Sequence, residues 1–335
     1  MHKTTLVVLA LAALNSAEAQ TPQQTLLALS KHDHTVAIVD PATLKVIAKA
    51  PVGNDPHEVI ASTDGKTAYV SNYGGGAYNT LAVIDLVSQK ALPSIDLGAL
   101  KGPHGLDFIG GKVWFTVEGS KAFGSYDPSS QKIDFILGTG QNRTHMIYVF
   151  DDLKHIVATN VSSGTVTMIE KLPPRTGGGP PGPPGGDWDE TVVKVGNGSE
   201  GFDVSPNHKE IWVANAQEGT ISIIDVASKK VVETLNANVQ SANRLKFTPD
   251  GAHVFVSGLR MDHVAVFDAA TRKDIKDVKI GRGAAGIQMQ PDGSLAYVAA
   301  TPDNYVAVID LKTLEVVGKI DVGVEPDGLA WAIRR

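Results

Sequence analysis

The stretch PDGSLAYVAATPDNYVAVIDLKTLEVVGKI, residues 291–320, contains the unit from which the fold follows. Its PDG tripeptide predicts a tight turn, and the runs AYVAA and YVAVID alternate with a period of two residues, as half-buried strands do. The DLKT tetrapeptide after the second run predicts another turn into a further strand. No segment of the chain shows a long period of 3.6 residues. The stretch therefore predicts short β-strands joined by tight turns.

The same unit recurs about every 40 residues, a period typical of propellers and other repeat folds. Its first turn and strand return in DGKTAYVSN (64–72), PNHKEIWVAN (206–215) and PDGAHVFVSG (249–258). Each unit reads as four strands, a to d. Seven starts of strand a can be counted, while residues 25–50 supply only strands b, c and d, and residues 327–333 supply a spare strand a. This arithmetic predicts an all-β, seven-bladed β-propeller of four-stranded blades, in which the C-terminal strand joins and closes the first blade.

The N-terminus predicts export. Residues 1–19 combine a short positive region, the apolar run LVVLALAAL (6–14) and small residues at Ala17 and Ala19, which together are typical of a signal peptide. The apolar run is about half as long as a membrane span requires. We therefore expect no membrane span, and an exported, periplasmic or secreted protein whose residues 20–335 form a single domain. The absence of Cys excludes disulfides, a lipoprotein anchor and thiolate metal sites.

Charge and composition narrow the choice of partner. The formal net charge is -6, the sequence pI is about 5.9, and the basic residues are scattered. A nucleic-acid partner is therefore not expected. We expect a monomer that binds a small molecule, and a protein partner remains an alternative.

One segment breaks the repeat. The stretch KLPPRTGGGPPGPPGGDWDE (171–190) lies between strands c and d of the fourth blade, and its Pro and Gly content predicts a loop without a packed element. It is interpreted as an inserted linker, with a partner-docking arm as the alternative. In a propeller the c–d loops lie on the face opposite the starts of strand a.

The second residue of each strand a falls at one mouth of the central channel. Around the ring these residues are His57, His104, His145, Glu200, Asn243, Ala285 and Asp327. Neutral imidazoles together with a carboxylate suit a divalent transition metal such as Zn, Mn, Fe or Cu. The sequence therefore gives His57, His104, His145 and Glu200 as candidate metal ligands. The alternative is that these are polar residues at solvated loop ends without a function of their own.

The b–c loops open on the same face and add further polar side chains, among them Glu118. Arg244, which follows a ring position, is positioned to clamp a carboxylate or phosphate. The candidate catalytic residues are His104, His145 and Arg244. The candidate ligand-binding residues are Asn72, Tyr73, Asn243, Arg260, His263 and Asp327.

Two resemblances support this interpretation. The motifs YVSN, VATN and WVAN, with STDG, TPDG and QPDG, resemble the YVTN-type propeller repeats of exported bacterial proteins over essentially the whole mature chain. The stretch SNYGGG (71–76) resembles one loop of lactonase-type propellers. The second resemblance implies a lactonase-like hydrolase, and a lyase would also fit, with His as general base and a metal or Arg244 stabilising negative charge. The first implies no more than a non-catalytic scaffold that binds a protein or a cofactor.

Overall fold

The computed structural model describes residues 21–173 and 186–335. The expected signal peptide (1–19) and most of the expected insert lie outside these residues. Within them, regular structure consists of β-strands and three single-turn 3-10 segments, at Gly74–Gly76, Glu118–Ser120 and Thr301–Asp303. None of the described helices is long and apolar enough to span a membrane. The predicted all-β class is confirmed.

Seven four-stranded antiparallel sheets form the blades, as predicted. The first blade has the order β28-β1-β2-β3, so the C-terminal strand closes the ring. Its register places Trp331 opposite Leu26. The strands of this blade are β28 (Pro326–Ile333), β1 (Gln24–Ser30), β2 (Thr35–Asp40) and β3 (Lys45–Pro51).

The other six blades follow in chain order, with strands a to d of each blade adjacent in its sheet. Blades 2 to 4 consist of β4 (Pro56–Ala61), β5 (Thr67–Asn72), β6 (Thr80–Asp85), β7 (Lys90–Asp96), β8 (Pro103–Ile109), β9 (Lys112–Val117), β10 (Ala122–Asp127), β11 (Lys132–Gly138), β12 (Thr144–Val149), β13 (His155–Asn160), β14 (Thr165–Lys171) and β15 (Trp188–Lys194). Blades 5 to 7 consist of β16 (Ser199–Val204), β17 (Glu210–Asn215), β18 (Thr220–Asp225), β19 (Lys230–Asn236), β20 (Ala242–Phe247), β21 (His253–Gly258), β22 (His263–Asp268), β23 (Asp274–Lys279), β24 (Ala284–Met289), β25 (Leu295–Ala300), β26 (Tyr305–Asp310) and β27 (Glu315–Ile320).

The core lies between the blades. Strands b and c are buried on both faces because each blade packs against two neighbours, which is why their sequences are apolar nearly throughout. Among the described residues, one apolar cluster fills each of the seven interfaces; Leu27 and Val70, for example, pack between blades 1 and 2. Phe255 is fully buried between blades 6 and 7, and burial of such a side chain contributes about 1.5–3 kcal/mol.

The strands a contact one another around the ring and line the central channel. In each blade a β-bulge falls at the ring position. In blade 2, for example, Pro56 pairs with Asn72 but Val59 pairs with Val70, which leaves one extra residue on the inner strand. The same shift occurs at the equivalent point of all seven blades. A bulge bends its strand and re-aims a side chain, so this device presents the ring residues at the mouth.

The described ends of the insert lie away from that mouth. Strand β14 ends at Lys171 and β15 begins at Trp188. The amide N–H of Lys171 donates a hydrogen bond of 2.8 Å to the carbonyl of Lys154, which belongs to the a–b turn of the same blade. The insert therefore leaves and rejoins the blade on the face opposite the ring residues, as the sequence predicts.

Candidate functional site

The seven ring positions converge on one cavity of about 190 Å³ at the channel mouth. Its wall is completed by residues of the neighbouring loops and strands: Lys31, Tyr73, Arg143, Arg244, Leu259 and Thr301. A larger groove of about 650 Å³ lies between blades 3 and 4 beside the ends of the insert. We assign the candidate site to the mouth because buried ionisable groups with shifted pKa values converge there, a combination typical of functional sites.

A hydrogen-bonded relay leads from Asp55 through His57 to His104. The distance from Asp55 Oδ1 to His57 Nε2 is 3.1 Å, and that from His57 Nδ1 to His104 Nε2 is also 3.1 Å. The hydrogen bond from His57 lowers the pKa of Asp55 to about 2, so this carboxylate accepts and the Nε2 atom of His57 carries a proton. The Nδ1 atom of His57 can then accept from Nε2–H of His104. In this tautomer the Nδ1 atom of His104 keeps a lone pair.

His104 is held neutral. Only 2% of the residue is exposed, and burial, with the nearby charges of His145 and His57, lowers its pKa well below 6.5. Its Nδ1 atom is buried and has no hydrogen-bond partner. An unpaired buried nitrogen costs about 1–3 kcal/mol, which is unusual in a native structure and points to a ligand.

His145 is oriented from behind by Glu118. Its Nδ1 atom lies 2.5 Å from Glu118 Oε1, while the other carboxylate oxygen accepts hydrogen bonds from the Tyr73 hydroxyl at 2.6 Å and from Arg143 Nε at 3.1 Å. Burial alone would raise the pKa of Glu118, but the hydrogen bond and charge of His145, with Tyr73 and Arg143, outweigh it and lower this pKa to about 2. Burial together with the bond to Glu118 raises the pKa of Tyr73 to about 12.

The opposite nitrogen of His145 faces Glu200. Its Nε2 atom lies 2.7 Å from Glu200 Oε2, an ion-pair contact whose angles are not those of a regular hydrogen bond. Burial acts to lower the pKa of His145, but Glu200 and Glu118 outweigh it and raise this pKa. Burial likewise acts to raise the pKa of Glu200, but the charge of His145 outweighs it and lowers this pKa to about 2. Without a cation between them, His145 must carry a second proton to lie beside this carboxylate.

Two threonines on strands b fix the backbone of these residues. The hydroxyl of Thr116 accepts from Gly105 N–H at 2.8 Å and donates to the carbonyl of His145 at 2.5 Å, which ties blade 3 to blade 4. Thr159 donates in the same way to the carbonyl of Glu200, at 2.7 Å. The backbone at two ring positions is therefore held by the preceding blade.

Arg244 takes a role that the sequence did not predict. Its guanidinium forms an ion pair with Glu58, on the far side of the channel in blade 2. Only 11% of the Arg244 side chain and 13% of the Glu58 side chain are exposed. Arg244 borders both the mouth cavity and an inner cavity of about 220 Å³, so the pair forms a floor between the two. The expected clamp on a ligand is thus already occupied by Glu58.

Negative charge is in excess around the mouth. Among the described residues, the carboxylates Glu200 and Asp327 line the cavity and three more contact its wall, namely Asp55, Glu58 and Glu118; the permanent positive charges beside them are Lys31, Arg143 and Arg244. Lys31 lies 3.4 Å from Asp327 Oδ2, and Arg143 and Arg244 pair with Glu118 and Glu58. Asp55, which lies 3.9 Å from Lys31 and shares it with Asp327, and Glu200 have no cation of their own, and both contact imidazoles. Protonated histidine or a divalent cation balances this charge.

The structure brings together most of the predicted site residues. All four predicted metal ligands line the cavity, and so do Tyr73, Asn243 and Asp327. The group whose ligand atoms lie within 4.8 Å of one another, however, is His104, Glu118 and His145, all three buried. Both oxygens of Glu118 are already hydrogen-bonded, to His145, Tyr73 and Arg143, whereas Glu200 faces the other ring nitrogen of His145.

Three predicted ligand-binding residues do not line the cavity. The side chain of Asn72 is buried, accepts from Gly53 N–H at 3.0 Å and donates to the Thr80 hydroxyl at 3.0 Å. His263 lies between Asp262 and Asp277, at 2.9 and 3.3 Å. Arg260 lines a separate groove on the same face.

Lys31 and Arg143 are cavity residues that the sequence reasoning did not select. Arg143 stands two positions before a ring histidine in NRTHMI, and this adjacency was the available signal. Lys31 directly follows strand β1 in the closing blade, where no repeat motif marks it.

Comparison with known proteins adds information on the fold. No protein-family model and no curated protein sequence matches the chain. A functionally unknown protein from Desulfotomaculum acetoxidans DSM 771 aligns with a TM-score of 0.74 and 15% identity over 92% of this chain and 98% of that chain. Kuenenia stuttgartiensis hydrazine synthase aligns with a TM-score of 0.70 and 19% identity over 85% and 92%. A Bacteroides fragilis protein named "putative 6-phosphogluconolactonase" aligns with a TM-score of 0.71 and 15% identity over 93% and 98%. At these identities the likeness shows a shared propeller fold and nothing about activity.

Proposed function

We propose that this protein binds a divalent transition metal ion at the channel mouth and, through it, a small polar or anionic molecule. One observation carries the proposal: His104, His145 and Glu200 line one cavity, Nδ1 of His104 is buried without a hydrogen-bond partner, and Nε2 of His145 faces the Glu200 carboxylate at 2.7 Å. Nitrogen and carboxylate ligands in this combination suit Zn, Mn, Fe or Cu. Glu118 orients the His145 ring from behind, as carboxylate partners do in metal sites, and His57 is hydrogen-bonded to the opposite nitrogen of His104.

The pKa shifts favour metal binding over metal-free base catalysis. A general base works best when its pKa is near the working pH, whereas the pKa of His104 is lowered well below 6.5. The same low pKa leaves His104 unprotonated and free to bind a cation without first losing a proton. A divalent ion would also neutralise the two carboxylates at the mouth that have no cation of their own and remove the need for a second proton on His145.

We expect the second molecule to be anionic. A bound divalent ion would neutralise the excess negative charge of the mouth, and Arg143 and Lys31 on the cavity wall could then pair with a negatively charged ligand. Only part of each cation is engaged, so both retain N–H donors for a ligand oxygen. A metal ion in such a site would polarise a carbonyl or activate water. In that setting Arg143 and Lys31 would stabilise developing negative charge, and Asp327 is positioned to move a proton. The candidate reactions are lactonase-like hydrolysis and a lyase reaction.

The likeness to YVTN-type repeats and residues 1–19 support export to the periplasm or beyond as part of this proposal. Sequencing the N-terminus of the protein recovered from cell fractions tests it. A mature chain beginning at Gln20 in the exported fraction is expected. An uncleaved chain that stays with the cytoplasmic fraction contradicts it.

Metal titration of the purified protein, prepared without a polyhistidine tag and stripped with a chelator, tests the proposed site. We expect one divalent ion per chain by calorimetry and elemental analysis. His104→Ala and His145→Ala should abolish binding, since each removes a ligand. His263→Ala is the matched control, because His263 lies on the same face but is enclosed by Asp262 and Asp277.

Unchanged binding in both ligand variants would contradict the proposed site. Turnover of lactones or esters by the metal-loaded protein would favour the hydrolase. Stoichiometric metal without turnover of any tested substrate would favour a binding protein.

A further inference from the structure

A second cavity, of about 440 Å³, lies on the same face as the mouth, between blades 6 and 7. It is formed by the d–a and b–c loops of these blades, including Leu259, Arg260, Met261 and Pro302. Leu259 lines this cavity and the mouth cavity as well. The two cavities are therefore neighbours that share one side-chain wall, and we call the second one the shelf.

The shelf combines an apolar floor with an unpaired cation. Leu259 is 48% exposed, and Met261 and Pro302 extend the apolar surface. Arg282, at the edge, is engaged by Asp303, with Nε at 2.8 Å and a terminal nitrogen at 2.7 Å. Arg260, by contrast, is exposed and forms no ion pair with any residue that the structure describes.

We propose that the shelf is a second subsite of the mouth, and that the ligand carries two anionic groups joined by an apolar spacer. One group binds at the mouth, the spacer covers Leu259, and the second group pairs with Arg260. The inference rests on the proposed function, because the first group requires the metal-loaded mouth. Its independent support is the shared wall at Leu259 and the free guanidinium beyond it, since a guanidinium binds a carboxylate or phosphate bidentately.

The test compares monocarboxylates with dicarboxylates on cobalt(II)-loaded protein, whose visible absorption reports on ligands at the metal. Butanoate, hexanoate and octanoate are titrated beside succinate, adipate and suberate, with acetate as the shortest ligand. Affinity for the monocarboxylates should rise about fourfold per methylene that covers Leu259, the equivalent of about 0.8 kcal/mol. Once the chain reaches Arg260, the dicarboxylate should bind about tenfold tighter than the monocarboxylate of equal length, since hydrogen bonds to charged groups are worth about 1.5–3 kcal/mol.

Two variants separate the parts of the subsite. Arg260→Gln should remove the dicarboxylate advantage and leave acetate binding unchanged. Leu259→Ser should remove the gain per methylene. Lys121→Gln is the matched control, since it removes one exposed positive charge from a b–c loop on the same face in blade 3.

The outcomes distinguish the two proposals. If the metal-loaded protein binds no carboxylate, both the anionic-ligand part of the proposed function and this inference are contradicted. If acetate binds but dicarboxylates show no advantage, or if Arg260→Gln keeps that advantage, this inference alone is overturned.

Discussion

Arg244 of blade 6 and Glu58 of blade 2 form an ion pair across the central channel, although 186 residues separate them in the sequence. Both side chains are largely buried, and the pair separates the mouth cavity from the inner cavity. The guanidinium also stabilises the carboxylates of Asp327 and Glu200 through its charge. The pair therefore gives the candidate site both its floor and part of its electrostatics.

Removing one partner of this pair should be strongly destabilising. Arg244→Met or Glu58→Met leaves the other side chain buried without its partner, which typically costs about 3–5 kcal/mol. Replacement of both residues by Met should recover much of that loss. Urea unfolding of the four proteins measures the coupling as a double-mutant cycle. Lys279→Met, which breaks an exposed pair with Asp262, should change stability by less than about 1 kcal/mol. Additive effects of the two buried substitutions would contradict the pairing.

Glu118→Gln should weaken metal binding without removing a ligand. The substitution keeps the shape of the side chain but removes the charge that holds Nδ1–H of His145, and changes of this kind typically cost about 10–100-fold in metal affinity. Calorimetric titration of the stripped protein measures the loss. Glu325→Gln, exposed on the same face, is the control and should leave the affinity unchanged. A complete loss of binding would instead make Glu118 a direct ligand.

Asp107, on strand β8 below the mouth, should make stability depend on pH. Loss of solvent raises its pKa from 3.8 to about 6, although it accepts hydrogen bonds from Val149 N–H and Phe108 N–H, both at 2.8 Å. Because the folded pKa lies above the unfolded one, the stabilisation is complete below 3.8 and is lost as the pH rises through about 6. Relative to Asp107→Asn, the wild-type protein should therefore lose stability between those values and level off above them. A constant difference across this range would contradict the assignment.

Deletion of residues 326–335 should destroy the fold rather than shorten it. Blade 1 would lose its innermost strand, on which Ala330 and Ala332 are buried against β1. Circular dichroism and thermal unfolding should show no cooperative transition. Deletion of Arg335 alone is the control and should change little. Cooperative unfolding of the longer deletion at an unchanged temperature would contradict closure by β28.

The repeat allowed the fold and the ring residues to be predicted from the sequence, because equivalent residues of a propeller occupy equivalent structural positions. His57, His104, His145 and Glu200 were found in this way, and all four line one cavity. Asn72 was selected from a loop motif, but it ends strand β5 at the position that Asn160 and Asn215 occupy in blades 4 and 5, and all three are buried. Its side-chain oxygen accepts a hydrogen bond from Gly53 N–H, so this position supports the backbone and does not line the cavity.

The remaining parts of the site depend on contacts between blades. Glu118 acts on a histidine of the next blade, and the partner of Arg244 lies across the channel. Such pairs follow from how the ring closes rather than from the spacing of the motif. The excess of carboxylates at the mouth became visible only when those pairs had been counted.

The bulge that recurs in all seven blades also bears on how such a site can change over time. Because the backbone presents seven side chains at one mouth, the ring positions differ from blade to blade mainly in the identity of the side chain. A new ligand therefore needs a single codon change at a prepared position, without an insertion or a loop redesign. Ala285 is such a position: it lines the cavity at the same step where other blades carry imidazole or carboxylate. The backbone geometry at the mouth can therefore stay unchanged while substitutions at the ring positions alter which side chains the site presents, and in which blades.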